Sequence, residues 1–168
     1  PPLPAAGDRI IHRWDPASKA DDANDWSVCS TWQVRGKMAW LLDVYRVKLE
    51  FPELRRRIQL QRDRWDAKLI LIEEAGSGIH LLQDLKRDAN ISVRGLIPKD
   101  DKGTRLLSVV HLIEGGQIAV PKDAPWIAEF QREVCLFPNG KHDDQVDSMT
   151  MFLRTLAEPA VEPRIRAL

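Results

Sequence analysis

The chain has 168 residues, 43% of them hydrophobic and 30% charged, which is the size and balance of one globular domain with its own core and leaves no room for a second. Lysine plus arginine and aspartate plus glutamate each count 25, so net charge gives no general attraction to a polyanion, and nucleic-acid binding would have to come from segregated charge. Cys29 and Cys135 lie far apart without CxxC spacing, which argues against a zinc ribbon or a disulfide framework and for a reducing compartment; the longest apolar runs are strand-sized, so no membrane span is expected.

The chain opens on PPLPAAGD, without methionine, a basic leader or an apolar signal core, and residues 1–8 are expected to be the remnant of a linker. One domain is expected over residues 9–158, with a tail at 159–168. RIIHRW is an apolar strand stopped by Asp15-Pro16, because proline disfavours a helical residue before it and has no amide hydrogen for a ladder. The polar loop SKADDAND follows. WSVCSTWQV and MAWLLDVYRV flank Arg35-Gly36-Lys37 and predict a hairpin of β-branched and aromatic arms. Phe51-Pro52-Glu53 opens a helix through residue 65, with proline suited to a first turn.

LILIEE then reads as a buried strand, AGSGIHLLQDLKRD as a glycine turn with an amphipathic helix, ISVRGLI as a strand, and DKGTRLLSVVHLIEGG as a helix closed by glycines. QIAVP, a short helix from about residue 126, the FPNG turn and a last helix reaching Pro159 complete the order. Three strands followed by helix, strand, helix, strand, helix predict an α/β fold: a mixed sheet with helices on its faces, whose later strands run parallel to the first. RIIHRW and LILI are then candidate neighbours, and Asp15 and Glu73 or Glu74 fall at their carboxyl ends, where such sheets bind ligands.

The last helix begins at KHDDQVDSM. One aspartate there is explained by capping, since Asp143 or Asp144 would accept from the open amides of the first turn. A cap accounts for only one acid. Asp144 and Asp147 are three apart and share a helix face, where two carboxylates repel unless a positive charge lies between them. Acids at the ends of three apolar elements could converge into an oxygen-rich site suited to magnesium or manganese. Two such ions about 3.5–4 Å apart hold the attacking and leaving oxygens of a phosphodiester in in-line hydrolysis.

The ordered series WDPASKADDANDWSV, LLDVYRVKLEFPEL, LILIEEAGSGIHLLQDL, DKGTR, APW and FPNGKHDDQVDSM resembles the nuclease domain of the large terminase subunit of tailed bacteriophages and prophages, over residues 9–156. The resemblance implies an RNase H-like fold that cuts concatemeric double-stranded viral DNA during packaging in the host cytoplasm, using two Mg2+ or Mn2+ ions. It further implies Asp15, Glu73, Asp144 and Asp147 as catalytic and metal-binding acids, with Glu74 beside Glu73 and undivided from it, and Asp143 as cap or supporting group. His142 is a further candidate near the metal. Ser148 stands where alanine is commoner in the HDDxxDA-like motif.

Lys102 and Arg105 match positions implied to contact DNA, and Arg55 and Arg56 on the arginine-rich helix are further candidates, since phosphate neutralisation gives affinity without reading sequence. No GxxxxGK[ST] occurs, so an ATP site is not expected in this sequence; the resemblance implies an N-terminal packaging ATPase domain before it, with the portal protein and the small terminase subunit as partners. Two rival readings share these acids: a Holliday-junction-resolvase-like nuclease, and a non-catalytic assembly module of a packaging machine.

Overall fold

The computed structural model describes residues 5, 7–17, 26–140 and 144–157; the loop SKADDAND, His142, Asp143, the tail from residue 158 and most of the proposed linker lie outside the described residues. Its organising element is β1 (Arg9–Asp15), flanked by β2 (Ser27–Arg35), which is antiparallel to it, and β4 (Leu69–Glu73), which is parallel. β3 (Met38–Val47) returns from β2 as the expected hairpin. β5 (Val93–Leu96) runs parallel to β4 at one edge, and β6 (Ile118–Ala119) parallel to β3 at the other.

The order is β5-β4-β1-β2-β3-β6. Every strand but β2 therefore points the same way, and the carboxyl ends of β1, β4 and β5 open onto one rim. QIAVP contributes only the two residues of β6, because Pro121 cannot extend a ladder.

Alternation along β1 sorts its side chains between two cores. His12 and Trp14 are buried on one face, where Trp14 packs with Leu54 and Ile58 of α1 (Phe51–Trp65) and with Leu81 and Leu85 of α2 (Ser77–Leu85). Ile11, Arg13 and Asp15 take the other face. There Ile11, Trp32 and Leu71 meet Val109 and Leu112 of α3 (Lys102–Glu114), Ile127 and Phe130 of α4 (Ile127–Leu136), and Met149, Phe152 and Leu153 of α5 (Asp144–Ala157). Trp32 stacks on Phe152 with ring centroids 4.3 Å apart. Each such fully buried side chain contributes about 1.5–3 kcal/mol of burial energy, which fixes α5 over β1 and β2.

A polar contact sets the rotation of α5 on the sheet. Ser148 is fully buried, and its hydroxyl pairs with that of Ser30 on β2 at 2.8 Å, while Ser30 also accepts from the Trp32 indole at 2.9 Å. The serine in place of the commoner alanine thus has a partner waiting in the sheet. Replacing Ser148 by alanine removes the dependent group with its bond and is expected to cost about 1 kcal/mol or less. Ser30→Ala instead strands the Trp32 donor and leaves the Ser148 hydroxyl only the long bond to the Arg13 carbonyl at 3.5 Å, at about 2–3 kcal/mol. Urea unfolding of the two variants checks this order; a larger loss for Ser148→Ala would contradict it.

Candidate metal centre

Asp15 ends β1 where the parallel register pairs Trp14 with Ile72, so Glu73, the next residue on β4, stands level with it. Odd-numbered positions of β4 face the α5 side, as Leu71 does, whereas Ile70 and Ile72 belong to the opposite core. Strand parity thereby divides the two glutamates. Glu73 is directed to the face that carries Asp15, and exposed Glu74 lies over β5 beside α2, where a Cβ on Gly95 would come within 2.4 Å of its Oε2 and 2.6 Å of the Leu82 side chain.

The backbone around these acids is closely tied. A Cβ on Gly78 would stand 2.0 Å from the Glu73 carbonyl oxygen, so only glycine lets the first turn of α2 lie against the end of β4. The Ser77 hydroxyl donates to the Ala17 carbonyl at 2.6 Å, and the Ala17 amide donates to the Ser27 hydroxyl at 3.1 Å. The turn after Asp15 is held from both sides.

Asp144 and Asp147 come from the first turn of α5, over the same rim. The open amides of that turn are not left to the aspartates: the Glu133 carboxylate of α4 accepts from the Gln145 and Val146 amides at 2.6 and 3.1 Å and from the Gln145 side chain at 2.6 Å. Glu133 is buried and follows Ile127 and Phe130 on the inward face of α4, so an acid on an apolar stripe was its signal in the sequence. With those amides served by α4, capping does not account for Asp144 and Asp147.

Electrostatics reflects the same gathering. Burial first, and then the charges of Glu73, Asp147 and Asp144, push the Asp15 carboxyl up from 3.8 to about 7, against the opposing pull of Arg13. Among the described residues, however, no three acids, histidines or cysteines form a ready-made ligand cluster. Glu73 and Asp147 carry cations. Fully buried Arg13 donates from Nη2 to Glu73 Oε2 at 3.0 Å and from Nη1 to the Trp14 carbonyl. Asp147 is buried between Arg105 Nη2 at 2.6 Å and Lys102 Nζ at 2.7 Å.

Arg105 is buried too, and it also donates to the Asp100 carbonyl at 2.8 Å, whereas about half of the Lys102 side chain meets solvent. Cations in the first turn of α3 oppose the helix dipole; Asp147 offsets that. Arg55 and Arg56 sit on α1, across the sheet from the acids, with Arg55 paired to Asp84 and Arg56 exposed. Arg13 and Glu133 are the residues missed by sequence reasoning.

Among the described residues the candidate donors are carboxylate oxygens, from β1, β4 and α5, a chemistry that suits a hard divalent cation.

No curated protein sequence matches the chain. Among solved structures it is similar to the large terminase nuclease of thermophilic phage G20c with bound zinc, at 21% identity and TM-score 0.61, over 83% of this chain and 79% of that one. The large terminase of a second thermophilic bacteriophage, in complex with ADP, aligns at 13% identity and TM-score 0.70 over 92% of this chain but only 41% of its own length. The human cytomegalovirus terminase nuclease domain aligns at 10% identity and TM-score 0.64, over 91% and 86%. At such identities the likeness is one of fold. The model of the terminase RNaseH-like domain matches residues 13–156, and the chain belongs to that family.

Proposed function

We propose that this domain is a metal-dependent endonuclease that hydrolyses phosphodiester bonds of concatemeric double-stranded viral DNA during genome packaging. The observation that supports this reading is the register that sets Glu73 level with Asp15 at the carboxyl ends of β1 and β4, with the charges of Asp147 and Asp144 also acting on Asp15. The family match supports the nuclease assignment, and the G20c terminase nuclease structures with bound zinc, magnesium and cobalt support a divalent metal.

Magnesium or manganese, when bound, supplies charge stabilisation at the scissile phosphate and acidifies an attacking water. Asp15 and Asp144 are the groups assigned to hold it. The expectation of two ions meets a crowded site, because Glu73 and Asp147 already carry cationic partners. Arg105, buried on Asp147, is better suited to positioning that carboxylate than to gripping DNA, while Lys102 at the rim can turn toward a phosphate. The ATPase domain, portal protein and small terminase subunit are the partners this reading implies, with the host cytoplasm as its place; the ADP-bound terminase, much longer than the aligned region, fits the presence of further domains. No described helix is long and apolar enough to cross a membrane.

Asp15→Asn and Asp144→Asn are each expected to lower cleavage of linear duplex DNA by about a thousandfold or more with the circular dichroism spectrum unchanged. Full activity in either variant would remove that acid from the site.

The pH dependence follows from the raised Asp15 pKa. Between 3.8 and about 7 the folded, metal-free protein holds a proton that the unfolded chain has released. The stability from this group is therefore complete below the lower value and is lost as pH rises through the upper one. In EDTA at pH 8, Asp15→Asn is expected to melt about 2–4 °C above the wild type, a gap that narrows toward pH 5. Manganese affinity of the wild type should fall as pH drops below about 7, because the proton competes for the carboxylate. Calorimetry across pH checks both expectations, and a pH-independent affinity would contradict the second.

A further inference from the structure

We propose that the groove between the last turns of α5 and the outer strands β4 and β5 is a docking site for an extended, acidic segment of a partner protein that carries aliphatic side chains. The inference goes beyond the nuclease reading and does not depend on a metal.

The groove follows from how the helices cover the sheet. α5 lies over β1 and β2, so the outer strands on that face are left beside it. Ile11 of β1, Leu69 and Leu71 of β4 and Leu96 of β5 make an aliphatic floor, and Met151 and Leu156 of α5 adjoin it. The hollow measures about 630 Å3, within the range of roughly 300–1,000 Å3 usual for sites that hold a ligand. Ile97, 61% exposed, also lines it. The rows of Arg9, of Ile11 with Leu69, of Leu71 with Arg94, and of Leu96 follow two residues apart in the register, a span of about 20 Å, or about six residues of extended chain. β5 is the outermost strand, which leaves that side open to an incoming segment.

The charge of the groove has one sign although the whole chain is neutral. Arg9, Arg94, Lys99 and Arg154 line it, and no acid does among the described residues. Arg154 is paired with Asp100 at 2.8 Å, whereas exposed Arg9, Arg94 and Lys99 enter no ion pair among the described residues. A DNA duplex would use these cations and leave the aliphatic floor bare. Single strands bind by stacking bases on aromatic rings, and no ring lines the groove among the described residues. An acidic peptide uses both features: its carboxylates take paired hydrogen bonds from the guanidinium groups, and its aliphatic side chains cover the floor. The groove contains none of Asp15, Glu73, Asp144 and Asp147, so occupation leaves the acids open.

Fluorescence anisotropy with a labelled synthetic octapeptide of alternating glutamate and leucine tests this, beside glutamate–serine and lysine–leucine versions. The glutamate–leucine peptide is expected to bind saturably, one per chain, and to shift the backbone amide resonances of Gly95, Ile97 and Leu156. The other two peptides, and the charge-reversed double variant Arg94→Glu with Lys99→Glu, are each expected to weaken binding at least about tenfold. Cleavage of a short linear duplex by that variant should match the wild type. No saturable binding, equal binding of the glutamate–serine peptide, or binding that leaves those amides unmoved would overturn the proposal. So would displacement of the peptide by duplex DNA together with slower cleavage by the variant, which would make the groove part of the DNA path and leave the nuclease reading intact. Self-association of the wild type that the two substitutions abolish would make a second copy the occupant, and would overturn it as well. Should the variant fail to fold by circular dichroism, the three peptides and the amide shifts of the wild type decide.

Discussion

Like charges brought together in a partly dry rim repel, at roughly 4 kcal/mol for a pair about 4 Å apart in the effective dielectric of a protein surface. Four carboxylates from β1, β4 and α5 face this problem at the carboxyl edge of one sheet, and the surrounding structure answers it in three ways. Arg13 neutralises Glu73 from beneath, Arg105 and Lys102 neutralise Asp147 from α3, and Asp15 retains a proton toward neutral pH. The strain left over is what a divalent cation would relieve. Among the described residues, the two ion pairs made by a buried arginine, Arg13–Glu73 and Arg105–Asp147, both fall here.

The supports are correspondingly dense. Glu133 reaches from α4 to serve the first amides of α5, the Ser30–Ser148 pair sets the rotation of that helix, and glycine at position 78 lets α2 touch the end of β4. The serine pair joins positions 118 residues apart, while the other two lock consecutive elements together at the ends that carry the acids. Together they make the rim a joint product of both cores: the α1 and α2 side holds β1 and β4 in register, while the α3, α4 and α5 side carries the aspartates to them.

Much of this was legible in the sequence, and the rest has identifiable reasons for being hidden. The order of strands and helices follows from periodicity and from Pro16, Pro52 and the glycine turns, and the parallel pairing of β1 with β4 follows from the crossover. Glu73 and Glu74 could not be separated because LILI is apolar at every position, as befits a strand buried on both faces, so alternation had no polar side to read. The pairing of Arg105 with Asp147, 42 residues on, lies beyond any local pattern. Arg13 was visible as a charge inside an apolar strand, two residues from Asp15, yet a cation beside an expected cation site ran against the pattern being sought. His142 and Asp143 fall outside the described residues, so their share in the site rests on the sequence.

The central claim is that these carboxylates hold a divalent cation, with Asp15 at its centre. Anomalous diffraction from crystals of the protein soaked in manganese tests it most directly. The account predicts a manganese peak at oxygen-ligating distance, about 2.1–2.3 Å, from Asp15 and Asp144, with Arg13 still on Glu73. A rim that stays empty of manganese, or an ion bound elsewhere with Asp15 and Asp144 turned apart, would contradict it.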